Sequence, residues 1–121
     1  MIQRPLYLQK LIGFKDKSVV KVITGIRRCG KSSLLQSFAD YLRENGVSQT
    51  HIIQMNFEDL RFDGMDYKTL HDTILQQLPA GANKTYVFLD EIQRVEKWEK
   101  AVNSLMLKPQ IDLYLTGSNA Y

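Results

Sequence analysis

The stretch Gly25-Ile-Arg-Arg-Cys-Gly30-Lys31-Ser32 has the residue types and the spacing to hold a chain of phosphates, and it matches G-x-x-x-x-G-K-S in full. A loop of this kind wraps an anion with backbone N–H groups, so its glycines permit close approach and positive φ. Lys31 brings a mobile positive charge to the β- and γ-phosphates. Ser32 offers a hydroxyl to Mg²⁺, and a helix that begins here turns its positive dipole end toward the anion. Arg27, Arg28, Cys29 and Ser33 lie within or against the loop and are counted with it as nucleotide-contacting positions. The two arginines could touch phosphate or a second protein, and a solvated basic pair is an equal reading. Cys29 has no histidine near it in sequence, so it is not read as a nucleophile.

A second constellation is Tyr86-Val-Phe-Leu-Asp90-Glu91. Four apolar residues running into an acid suit a buried strand that delivers Asp90 to the edge of a sheet, near the water shell of a nucleotide-bound Mg²⁺. Glu91, one residue on, can then polarise the water that attacks a γ-phosphate. The plain alternative is that both acids merely cap the following helix; the phosphate loop about sixty residues upstream argues against it. Further along, Leu115-Thr116-Gly117-Ser118-Asn119 ends another apolar run, and Thr116, Ser118 and Asn119 are equal candidates for a group that senses the γ-phosphate.

These groups need elements to carry them. Residues 19–24 are β-branched and short, a strand entering the loop. A helix is expected over 31–45, with Leu34, Leu35, Phe38, Ala39 and Leu42 on one face and Gly46 as its stop. A strand over 51–57 leads to a helix over 67–78, with Asp66 as N-cap and Pro79 and Gly81 behind it. The run 85–90 is apolar on both faces, as a central parallel strand should be. A helix over 95–107, with Trp98 facing the core, precedes a last strand over 111–116. Residues 5–14 read as a short helix or an irregular lead-in. The β-α-β-α-β-α-β order implies a parallel sheet with helices on both faces.

Composition sets the limits. A chain of 121 residues has room for one domain. No apolar run approaches the roughly 20 residues of a membrane helix, and the first residues lack the apolar stretch of a signal peptide. The single cysteine agrees with a reducing compartment, so a cytoplasmic location is expected. A net charge of +3 suits an anionic ligand without arguing for nucleic acid. His51 and His71 lack ligand-like spacing, and Glu58 and Asp59 read as a solvated turn.

Read together, G-I-R-R-C-G-K-S, N-F-E-D at 56–59, Y-V-F-L-D-E-I-Q at 86–93, V-E-K-W at 95–98 and L-T-G-S-N-A at 115–120 resemble one family. It is the AAA-like ATPase domain found at the N-terminus of many bacterial and archaeal proteins, usually ahead of a C-terminal domain of unknown function. The resemblance runs from Arg4 to Ala120. It implies the additional-strand, catalytic-glutamate branch of P-loop ATPases, a three-layer α/β/α sandwich with sheet order 5-1-4-3-2. By position, Gly25, Gly30, Lys31 and Ser32 would hold phosphates and magnesium, Asp90 would support the metal, Glu91 would orient water, and Thr116 or Ser118 would stand as sensor.

The expectation is therefore one α/β domain over 1–121, an ATP- and Mg²⁺-binding ATPase core truncated after its fourth strand. The fifth strand, the arginine finger and the second domain of the family would lie beyond Tyr121, so weak turnover and self-association are expected of this chain. A nucleotide-dependent switch with negligible turnover is the main rival. A small-molecule kinase is disfavoured, because no arginine-rich lid segment is visible. A homo-oligomer is compatible with this reading, and no residue pattern points to a particular protein or nucleic-acid partner.

Overall fold

The computed structural model describes residues 6–16, 21–23, 28–81 and 83–117; for 6, 7, 11 and 28–33 it describes the backbone only. Among these residues the elements run α1 (Leu6–Phe14), β1 (Lys21–Ile23), α2 (Arg28–Glu44), β2 (Ile52–Asn56), α3 (Tyr67–Gln77), β3 (Thr85–Asp90), α4 (Trp98–Leu105) and β4 (Ile111–Thr116). The four strands are all parallel, in the order β1-β4-β3-β2. That is the order the family resemblance implied for these four. It sets β4 between the strand that enters the phosphate loop and the strand that ends in Asp90.

Register fixes which side chains meet. Ile23 pairs with Thr116, Leu89 with Leu115, and Asn56 with Asp90, so the C-terminal ends of the strands gather at one edge. Side chains alternate between the two faces along each strand. One face carries Val87, Leu89, Leu113 and Leu115 against α3 and α4, with Leu70, Ile74, Val102 and Leu105 opposite. The other carries Tyr86, Phe88 and Tyr114 against α1 and α2, with Leu8, Leu35, Phe38 and Leu42 opposite. Phe38 fills the centre of that second layer, its ring 4.9 Å from Tyr114 and 5.8 Å from Phe88.

Helix ends follow local chemistry. Gly46 has φ +90 and closes α2: its N–H bonds the Arg43 carbonyl, and the Val47 N–H bonds Leu42, both at about 3 Å. Asp66 caps α3 by accepting the Thr69 N–H at 2.7 Å. Two expected boundaries move. α2 begins at Arg28, three residues before the expected start, so Gly30, Lys31 and Ser32 already belong to its first turns. The helix expected over 95–107 shortens to α4, which starts only at Trp98, because Val95 is extended and Lys97 takes the left-handed conformation; a separate 3-10 turn, Ile92–Arg94, precedes it. Trp98 still packs on the core, as expected.

A charged network runs from the buried α1/α2 face out to the surface. The Lys21 ammonium is ion-paired with the Asp112 carboxylate, and both side chains are almost wholly buried. The other Asp112 oxygen accepts the Asp16 N–H and the Tyr114 hydroxyl, each at 2.8 Å. Asp16 in turn accepts the Tyr86 hydroxyl and the Lys15 ammonium at 2.7 Å. Burial and the bond to Asp16 push the Tyr86 phenol up to about 12. Burial pushes the Asp16 carboxyl up, but the Lys15 and Tyr86 bonds outweigh it and the net shift is down. The Asp16 contribution is thus present above the unfolded carboxyl value and is lost as pH falls below that value through the lowered folded one.

Among the described residues β1 pairs on one side only, and Val22 on it is 54% exposed. An open strand edge with an apolar residue templates pairing with another chain. A polypeptide of these 121 residues is expected to self-associate at about 100 μM, and Val22→Lys to reduce this. Light scattering coupled to size exclusion reads the outcome; a strictly monomeric wild type contradicts it.

Candidate functional site

The C-terminal edge of the sheet brings Asp90, Glu91 and Thr116 together. Asp90 ends β3 and is buried. Its carbonyl accepts the Phe57 N–H at 3.0 Å, which ties it to the end of β2. Its carboxylate accepts the Thr116 hydroxyl from the end of β4 in a short hydrogen bond. The same Thr116 oxygen accepts the Glu91 N–H at 2.9 Å. One hydroxyl therefore brackets both acids: its proton is given to Asp90 and one of its lone pairs is taken by Glu91.

Glu91 is 2% exposed and left-handed, with φ 58 and ψ 48. A residue other than glycine in that region costs about 1–2 kcal/mol, and such costs gather where a surrounding structure holds a side chain for a task. Glu91 stands at the N-cap position of the Ile92–Arg94 turn, yet its side chain makes no capping bond. The reading of this acid as a plain helix cap does not describe its geometry. Its Oε1 instead accepts the side-chain amide of Gln93 at 2.8 Å.

Beside this bracket lies a cleft of about 320 Å³ between the middle of α2 and the end of β2, lined by Leu35, Gln36, Gln54, Asn56, Asp59 and Asp90 among others. Leu35 and Gln36 lie two and three residues past Ser33, so the cleft sets the middle of α2 beside the Asp90 edge. Asp59, read from sequence as a solvated turn, lines this cleft and also caps the next 3-10 turn through the Arg61 N–H at 3.0 Å. Asn56 accepts the Glu58 N–H at 2.9 Å, closing the turn out of β2.

The phosphate-loop residues Gly25 and Arg27 lie outside the described residues, as do the alternative sensors Ser118 and Asn119. Arg28, Cys29, Gly30, Lys31, Ser32 and Ser33 form the opening backbone turns of α2. The orphan N–H groups of a helix start suit an anion there. Among the described residues no group of three or more His, Cys, Asp or Glu could hold a metal. Magnesium does not need one, because it binds through one or two oxygen ligands and takes the rest from phosphates and water. The Asp90 carboxylate at the sheet edge fits that donor set. Sequence reasoning gave no role to Gln93, Asn56 or the Lys21–Asp112 pair. The last left a signal, since a lysine and an aspartate stand inside otherwise apolar strands.

A parallel sheet with an extra strand between the loop-bearing and acid-bearing strands, and an acid bracket at its C-terminal edge, defines a nucleotide-binding, ATPase-like α/β domain. The chain belongs to the AAA domain family, whose sequence profile matches residues 17–121. It is 44% identical to an uncharacterized protein of Haemophilus influenzae, over 99% of this chain and 30% of that protein. It is 32% identical to an uncharacterized protein of Methanocaldococcus jannaschii, over 84% of this chain and 21% of that protein. The chain thus spans less than a third of the length of these relatives. No helix among the described residues is long and apolar enough to cross a membrane.

Proposed function

We propose that this domain binds ATP with magnesium through residues 25–33 and hydrolyses its γ-phosphate. The observation that carries the proposal is the Thr116 bracket on Asp90 and Glu91, with Thr116 paired to Ile23, five residues before the helix that bears Gly30-Lys31-Ser32. Lys31 neutralises charge on the β- and γ-phosphates, and the first amides of α2 bond their oxygens. Asp90 and Ser32 would hold magnesium, which supplies further charge neutralisation at the phosphates. Glu91 accepts a proton from water as the water oxygen bonds to the γ-phosphorus. The bond from that phosphorus to the bridging oxygen breaks, leaving ADP and inorganic phosphate. Thr116 holds both acids in register while this happens. Catalysis is then mostly positioning and charge stabilisation. A cytoplasmic location belongs to the same reading, supported by the single cysteine.

Lys31→Ala tests the binding half. A charge-assisted hydrogen bond contributes about 1.5–3 kcal/mol, so ATP affinity is expected to fall at least about tenfold. Titration calorimetry reads it; equal affinity in wild type and variant overturns the assignment. Binding without phosphate release would instead mark a nucleotide-dependent switch.

A further inference from the structure

Gln93 lies in the 3-10 turn Ile92–Arg94, two residues past Glu91. Its Nε2 donates to Glu91 Oε1 at 2.8 Å. Its own Oε1 is buried and meets no hydrogen-bond donor among the described residues. Buried side-chain oxygens nearly always find a donor, so an exception asks for a reason. The two ends of a carboxamide are sterically alike and chemically opposite, and the side chain can settle either way round. Here it settles with its N–H on the carboxylate although its oxygen is left without a donor. Its orientation is therefore set by Glu91 and not by the packing around the amide oxygen.

A general base gains from such a hold. The Glu91 backbone is fixed by the left-handed conformation and by the bond from its N–H to Thr116, but neither fixes the far end of the side chain. The terminal carboxylate torsion of a glutamate is broad, and a general base must keep one oxygen aimed at the water it deprotonates. A donor on Oε1 narrows that torsion and leaves the role of proton acceptor to Oε2.

We infer that Gln93 is the positioning residue of Glu91: its side-chain amide holds Oε1 so that Oε2 is presented to the attacking water. The inference rests on the reading of Glu91 as the general base. It gives Gln93 a kinetic role and no share in nucleotide affinity.

The test is Gln93→Met, which keeps the length and removes the donor. Turnover, kcat, is expected to fall about tenfold, the loss of one hydrogen bond to a charged group. KM for MgATP should not move. Thermal stability should not fall, because the variant also removes an oxygen that has no donor. A merely structural role predicts the reverse, a lowered Tm with kcat per folded molecule unchanged, and that result overturns the inference. Gln93→Met in a Glu91→Gln background should cause no further loss of rate; an equal loss in both backgrounds also overturns it. If Glu91→Gln alone keeps the wild-type rate, the general-base reading has failed and the role of Gln93 fails with it. Where turnover is too slow to follow, the Gln93 side-chain amide in ¹⁵N–¹H NMR decides. One slowly exchanging proton, lost in Glu91→Ala, supports the hold, and its absence from the wild type refutes it.

Discussion

Glu91→Gln is expected to lower ATP turnover by about 10²–10⁴-fold, the range that a positioned general base contributes, with nucleotide binding retained. The structure explains why so small a change isolates the chemistry. The left-handed backbone at position 91 and its N–H bond to Thr116 do not depend on the side chain. Glutamine has the length and shape of glutamate, and its carbonyl oxygen can still accept the Gln93 amide. What it loses is the ability to take a proton. Asp90→Asn makes the contrast, since it weakens the carboxylate proposed to hold magnesium and should appear as a changed magnesium dependence. A phosphate-release assay on any form of the protein that turns ATP over measures both. Wild-type turnover by Glu91→Gln would remove Glu91 from the mechanism.

The second large effect concerns stability and lies at the buried charge network. Asp112→Ala removes the carboxylate facing the Lys21 ammonium and deprives the Asp16 N–H and the Tyr114 hydroxyl of their acceptor. Breaking one partner of a buried ion pair costs about 3–5 kcal/mol, against a total stability of about 5–15 kcal/mol for a typical domain. The loss is a large share of that total, so the variant should unfold at a clearly lower urea concentration than the wild type. Replacing the pair together, Lys21→Met with Asp112→Leu, should recover part of the loss, because neither partner is then left as an uncompensated buried charge. Recovery should remain incomplete until Tyr114→Phe is added, since the tyrosine hydroxyl still lacks an acceptor. Urea denaturation followed by circular dichroism measures the series. A loss below about 1 kcal/mol for Asp112→Ala, the worth of an exposed pair, would show that the network does not hold α1 and β1 to the sheet.

Much of the scaffold was legible in the sequence because it depends on neighbours a few residues apart. β3 and β4 fall on the expected residues, Asp66 caps α3, and Gly46 stops α2, each decided by local spacing or local backbone freedom. The order of the strands came from the family resemblance, since β3 and β4, buried on both faces, carry no alternation to read. The candidate site was legible as a set of residue types: Asp90, Glu91 and Thr116 stand out as polar groups ending apolar runs. Their arrangement was not. Thr116 meets Asp90 only because register sets the end of β4 beside the end of β3, 26 residues away in sequence. Gln93 acquires its partner from a left-handed turn that no spacing rule predicts. Lys21 and Asp112 stand 91 residues apart, and Asp16 and Tyr86 stand 70 apart. The sequence alone determined which segments could be strands and helices, and which side chains could handle phosphate and water. The tertiary structure alone decided which buried charges neutralise one another and how one hydroxyl brackets two acids, because electrostatic and hydrogen-bond partners are chosen by distance in space, and folding sets that distance independently of separation along the chain.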